Sequence, residues 1–121
     1  MANKSFLRKT QTDALVKVYG AVGTVTIPLA DLAVAGETVL NPEVSIIALQ
    51  TSGSPGAVIE VARGGNILYS VASESAPIID LLALGNAADT TNAGADITVT
   101  TKVAEAQLLL KLRKISGYKK V

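Results

Sequence analysis

The sequence predicts an all-β protein: an antiparallel β-sandwich, with a jelly roll as its leading topology. Three observations carry this expectation. Apolar and polar residues alternate with period two through much of the chain, as in Thr24-Val25-Thr26-Ile27 and Ile97-Thr98-Val99-Thr100, the pattern of a strand with one buried face. Glycine, proline and asparagine turn signals recur at the spacing of sandwich strands. Of 121 residues 49% are apolar, yet Phe occurs once and Trp not at all. The core must therefore be built from Val, Ile, Leu and Ala, which suits strand packing. The length fits one core, expected as a β-sandwich over residues 13–115, flanked by a polar N-terminal arm (1–12) and a C-terminal tail (116–121).

Taken in order, residues 1–12 are polar and without an apolar period, which reads as an arm. Val16 and Val18 share one face of a strand and Lys17 takes the other, before a turn at Gly20 and Gly23. Val25, Ile27 and Leu29 point inward along the next strand, so these two strands read as a hairpin. Pro28, Asp31, Gly36 and Asn41-Pro42 mark a loop over 30–43. Residues 44–51 form a strand apolar on both faces, because Ile46 and Ile47 point oppositely; such a strand is central. Strands over 58–61 and 67–71 flank Gly64-Gly65-Asn66, residues that tolerate the positive φ of a tight hairpin. Residues 78–84 follow Pro77 and fit either a short helix or a buried strand, with the strand favoured. Residues 104–114 hold good helix formers, but Leu108, Leu110 and Leu112 alternate with Lys111 and Arg113 and favour a strand. Eight strands result.

The chemical alphabet is narrow. Without Cys or His there is no disulfide framework, thiolate zinc site, histidine ligand or Ser-His-Asp triad. The glycines form no phosphate-cradling motif. Oxygen side chains over 89–96 surround Gly94, but they miss the calcium-loop register, which would close on Glu and here meets Thr100; a polar turn is expected. Glu60, Glu74 and Asp80 are the carboxylates whose convergence would be needed for glycoside hydrolysis, and nothing in their spacing favours it. The chain is expected to be no enzyme and to need no cofactor or metal. The longest uncharged run is interrupted at Gly53-Ser54-Pro55-Gly56, too early for a membrane helix. The N-terminus lacks the apolar stretch of a secretory signal, so the expected compartment is the cytoplasm of the producing cell.

Charge is unevenly placed. The total is +1, but residues 1–17 carry four cations against one carboxylate, residues 18–101 carry Arg63 against eight carboxylates, and residues 102–121 carry six cations against Glu105. An acidic body with basic ends orients itself on an acidic surface or on a second copy. Nucleic acid is the weaker match for Lys111, Arg113, Lys114, Lys119 and Lys120. The near-neutral total, the acidic middle and the scarcity of aromatics argue against a dedicated binder. What remains is an interaction protein with apolar surface to bury between subunits.

The opening Lys4-Ser-Phe-Leu-Arg-Lys-Thr-Gln-Thr-Asp-Ala-Leu-Val-Lys-Val18, the hairpin Ile59-Glu-Val-Ala-Arg63 to Ile67-Leu-Tyr69, and Ala106-Gln-Leu-Leu-Leu-Lys-Leu-Arg-Lys-Ile-Ser-Gly-Tyr118 resemble small virion structural proteins of tailed bacteriophages, especially marine ones. The resemblance implies a decoration or cement protein on the outer face of the head, made in the host cytoplasm and carried on the virion. It also fits a tail, collar or fibre-base adaptor. Implied partners are the major capsid protein and neighbouring copies of the chain, as a homo-oligomer. Charge and resemblance together make Lys4, Arg8, Lys9, Lys119 and Lys120, on the two arms, the expected contacts to shell carboxylates. Deleting residues 2–12 is then expected to leave the fold intact.

Overall fold

The computed structural model describes residues 2–73, 78–81 and 89–120. Within these it has nine strands: β1 (Ala2–Lys9), β2 (Asp13–Gly20), β3 (Gly23–Ile27), β4 (Glu37–Gly53), β5 (Val58–Arg63), β6 (Asn66–Ala72), β7 (Ile78–Asp80), β8 (Ile97–Lys102) and β9 (Ala106–Lys120), with a 3-10 turn over Leu29–Leu32. They form two antiparallel sheets, a five-stranded one in the order β1-β2-β9-β4-β7 and a four-stranded one in the order β3-β8-β5-β6. No helix among the described residues is long and apolar enough to cross a membrane.

The core lies between the sheets. Ala14, Val16 and Val18 of β2, Leu108, Leu110 and Leu112 of β9, and Val44, Ile46 and Leu49 of β4 face Ile27, Ile59, Val61, Ile97 and Val99 of the other sheet. This is the alternation read from the sequence, and it makes the core aliphatic. The double-sided apolar strand is central as expected: β4 pairs with β9 on one side and β7 on the other. A register shift between Ile46 and Ala48 lets Ile46 and Ile47 both be buried. At the β5–β6 hairpin, Gly64 and Gly65 take φ of +56° and +81°, so these two positions need residues that tolerate the left-handed region.

Four sequence expectations change. Residues 2–9 are not a free arm: β1 pairs with β2 from Ala2 opposite Gly20 to Lys9 opposite Ala14, with a bulge between Phe6 and Arg8. An edge strand needs only backbone partners on one side, and its charges keep other chains from pairing there, so the missing apolar period was no bar to a strand. Phe6, opposite Val16, packs against the core. The connecting turn is held by the Thr10 hydroxyl, which accepts from the Thr12 and Asp13 amides at 3.2 and 3.0 Å. Secondly, 30–43 is not all loop, because β4 begins at Glu37 and Asn41-Pro42 falls inside it as an irregularity between Val39 and Glu43. Thirdly, residues 116–120 are not a tail but the last part of β9. Gly117, at φ +87°, sits against the Asn41-Pro42 irregularity so closely that a Cβ would lie 2.4 Å from the Pro42 Cα. Fourthly, β2 and β3 are not a hairpin: β2 lies between β1 and β9 in one sheet and β3 pairs with β8 in the other, so the turn at Gly20 and Gly23 carries the chain across the sandwich. Residues 106–114 are strand, as favoured, and each of Leu108, Leu110 and Leu112 points into the sandwich. Of residues 78–84, Ile78–Asp80 form β7, a strand as favoured but not a buried one, since it ends its sheet and Ile78 is 67% exposed; 82–84 lie outside the described residues.

Candidate functional site

Of the five cations expected on the arms, Lys4, Arg8 and Lys9 are anchored on the body by their side chains, and Lys119 and Lys120 belong to the backbone ladder of β9. Lys4 donates to the Thr26 carbonyl at 2.8 Å and lies 3.6 Å from the Asp31 carboxylate. Lys9 donates to the Asp31 carbonyl at 3.2 Å and sits 5.1 Å from the centre of the Phe6 ring. Arg8 pairs with Asp13 at 2.9 Å. Lys119 is exposed, and its carbonyl accepts from the Thr38 hydroxyl at 3.2 Å. Lys120 ends β9 opposite Glu37 in the backbone register. Both basic ends converge on the 3-10 turn: Lys4 and Lys9 through Asp31, and the C-terminal strand through the Tyr118 hydroxyl, which donates to the Leu29 carbonyl. Segments a hundred residues apart in sequence thus share one region of the surface.

Two buried polar clusters escaped the sequence reading. In the first, Lys114 and Glu37 form an ion pair at 2.9 Å with side chains only 3% and 2% exposed. The same ammonium donates to the Thr10 carbonyl at 2.7 Å and lies 4.6 Å from the centre of the Tyr118 ring, while Glu37 also accepts from the Val34 amide at 2.9 Å. Burial of Tyr118, helped by the Glu37 charge and opposed by Arg63, pushes its phenol up to about 12. This cluster ties the β1–β2 turn, the start of β4 and the end of β9 together. A lysine in register with apolar alternation was the available signal, since Lys114 takes the next inward position after Leu108, Leu110 and Leu112.

In the second, Arg63 is 1% exposed. Its guanidinium donates to the carbonyls of Val44 and Ala93, each at 2.7 Å, and to that of Ala95 at 3.0 and 3.2 Å. Burial lowers its pKa, against the nearby charges of Asp89 and Asp96. Asn92 returns a hydrogen bond from its amide to the Arg63 carbonyl at 2.9 Å. Beside it, Tyr69 donates to Asp89 at 2.6 Å; burial and this bond push the phenol well up. Burial alone would raise the Asp89 pKa, but the bonds from Tyr69 and Thr91 and the Arg63 charge outweigh it and hold the carboxyl low. The loop over 89–96 is thereby fastened as a polar turn, in the place where oxygen ligands had been weighed.

These clusters are closed on themselves and serve packing: their donors and acceptors satisfy backbone groups. Glu60 lies in the four-stranded sheet, paired with Lys102 at 3.0 Å, whereas Asp80 lies in the five-stranded sheet; these two do not converge, and Glu74 lies outside the described residues. Among the described residues no group of three or more His, Cys, Asp or Glu is placed to hold a metal ion. The surface formed by the described residues has hollows. One, of about 420 Å³, lies where β2, β4 and β9 meet at Tyr19, Ser52 and Gln107; another, of about 190 Å³, lies on the outer face of the five-stranded sheet. Comparison with protein-family models, with curated proteins and with solved structures finds no match to the chain.

Proposed function

We propose that this chain is a virion structural protein that decorates the outer surface of a phage head and cements the shell. The observation that carries the reading is the strand order. With β1 set aside, β2-β9-β4-β7 faces β3-β8-β5-β6, each sheet drawing strands from both halves of the chain as two Greek keys of a jelly roll do, an architecture frequent in viral shells. The resemblance of the terminal segments and of the β5–β6 hairpin to phage virion proteins supports the same reading. So does the gathering of both basic ends around the 3-10 turn, which gives one region for a capsid partner or a neighbouring copy to engage. A homo-oligomer repeated over a lattice turns weak contacts into firm attachment and stabilises the assembled shell by mass action.

The test is copy number in purified particles, measured by quantitative mass spectrometry against the major shell protein. A simple ratio set by shell symmetry is the expected result. A few copies per particle assigns the chain to a tail, collar or fibre-base adaptor instead, and absence from particles ends the virion reading.

A further inference from the structure

The outer face of the five-stranded sheet carries an unusual pairing of charge and apolar surface. The register aligns Ser5, Lys17, Leu109, Gln50 and Ile78 in one row across β1, β2, β9, β4 and β7, and Arg8, Leu15, Lys111, Ala48 and Asp80 in the next; Arg113 follows between Asp13 and Ser45. Leu15, Leu109 and Ala48 are half-buried and Ile78 is 67% exposed. These four line the 190 Å³ hollow together with Lys111 and Asp80. Arg8 is paired with Asp13. Lys17, Lys111 and Arg113 make no ion pair among the described residues. Lys111 lines the apolar socket itself, and Lys17, whose ammonium lies 4.8 Å from the centre of the Tyr19 ring, and Arg113 flank it in these rows, on the face that the opposite sheet does not cover.

We infer that this face docks an acidic protein segment that seats one apolar side chain in the hollow between Leu15, Leu109 and Ile78, with its carboxylates against Lys17, Lys111 and Arg113. Charge decides the occupant. The rows of this face hold four cations, Arg8, Lys17, Lys111 and Arg113, against two carboxylates, Asp13 and Asp80, so the same face of a second copy brings net positive charge against net positive charge, which is repulsive. A nucleic-acid backbone would satisfy the cations and leave the leucines and Ile78 in contact with water. An acidic segment with an apolar anchor satisfies both, since a buried anchor in a socket ringed by complementary charge is the usual form of a binding hot spot. The inference goes beyond the decoration reading by naming a docking face and the chemistry it takes, and its test uses no particles, so the two fail separately.

The test is an amide-resolved NMR titration of the full chain with three probes: a short polyglutamate peptide with one central leucine, the same peptide with alanine there, and a DNA duplex of equal charge. The leucine peptide is expected to shift resonances of residues 15, 78, 109 and 111, and to bind roughly tenfold more tightly than the alanine peptide. The charge reversal K17E/K111E/R113E is expected to abolish binding. Should it not fold, the neutral variant K17Q/K111Q/R113Q is expected to weaken binding at least several-fold while leaving the amide spectrum native. Equal binding of the two peptides, shifts confined to Lys9 and Lys119, tighter binding of DNA, or no shift at all would each overturn the inference.

Discussion

Removing the Lys114 ammonium tests whether the buried ion pair holds the end of β9 in place. At 2.9 Å and an effective dielectric of about 20, the attraction between Lys114 and Glu37 is about 6 kcal/mol before desolvation. Both groups are nearly free of water, so much of that gain only offsets the cost of burying them. The consequence is asymmetric. Lys114→Met takes the counter-charge from the Glu37 carboxylate, which keeps the Val34 amide, and removes the donor to Thr10, at an expected cost of about 3–5 kcal/mol. Glu37→Gln is milder, about 2–3 kcal/mol, because the ammonium keeps the Thr10 carbonyl and the Tyr118 ring. The double variant leaves neither buried charge without its counter-charge, and it is expected to be more stable than the sum of the singles by about 2 kcal/mol or more. Urea unfolding of the four proteins at neutral pH measures this. Molar salt should change the result little, whereas it should weaken the exposed Arg8–Asp13 pair. Additive effects below about 1 kcal/mol each would refute the reasoning, because they would mean that the pair behaves as a solvated surface contact.

Other expectations follow from the same structure. Arg63→Met leaves the Val44 and Ala95 carbonyls without their guanidinium donor, and it should cost about 2–4 kcal/mol in denaturation with faster hydrogen exchange over 89–96. Gly117→Ala forces a Cβ against Pro42 at positive φ and should cost more than about 2 kcal/mol by the same measurement; an unchanged midpoint would contradict the register between β4 and β9. Because the folded Tyr118 phenol is raised from 10.0 to about 12, its contribution is complete below pH 10 and is lost as the pH rises toward 12. An alkaline denaturation series should show this slope, and Tyr118→Phe should reduce it. Deleting residues 2–9 removes Phe6 from the core margin and bares the β2 edge, so it should lower the melting temperature measurably rather than leave the fold untouched; an unchanged melt would refute that.

The layered β architecture was legible because period-two alternation survives wherever one face is buried. Val25 and Ile27 of β3, Ile59 and Val61 of β5 and Val99 of β8 all point where their spacing required. The ends were illegible for a specific reason. An edge strand such as β1 is held by its backbone ladder with β2, which leaves no mark on side-chain order, and only Phe6 hinted at a buried face. Residues 116–120 were hidden because Gly117 and the Asn41-Pro42 irregularity look like punctuation when each is read alone. They are opposed in space and compensate each other, so the strands run through. The cations of the candidate site were legible as charges but not as partners: Asp13 lies five residues from Arg8, whereas Asp31 reaches Lys4 and Lys9 only through folding. Lys17, Lys111 and Arg113 share one face by virtue of the β2–β9 register, a pairing across more than ninety residues that no local pattern encodes.

The position of β9 between β2 and β4 also sets the order of events during synthesis. While the ribosome is still producing residues 21–105, β2 and β4 have no common partner, and the five-stranded sheet remains split along its middle. The hairpin of β5 and β6 closes locally, but the seam waits for residues 106–120 and then closes on both sides. Pairings of such long range fold slowly. The surface that combines Lys17 with Lys111 and Arg113 comes into existence only at that closing step, so a prematurely terminated or half-folded chain does not display it and is not offered to a partner.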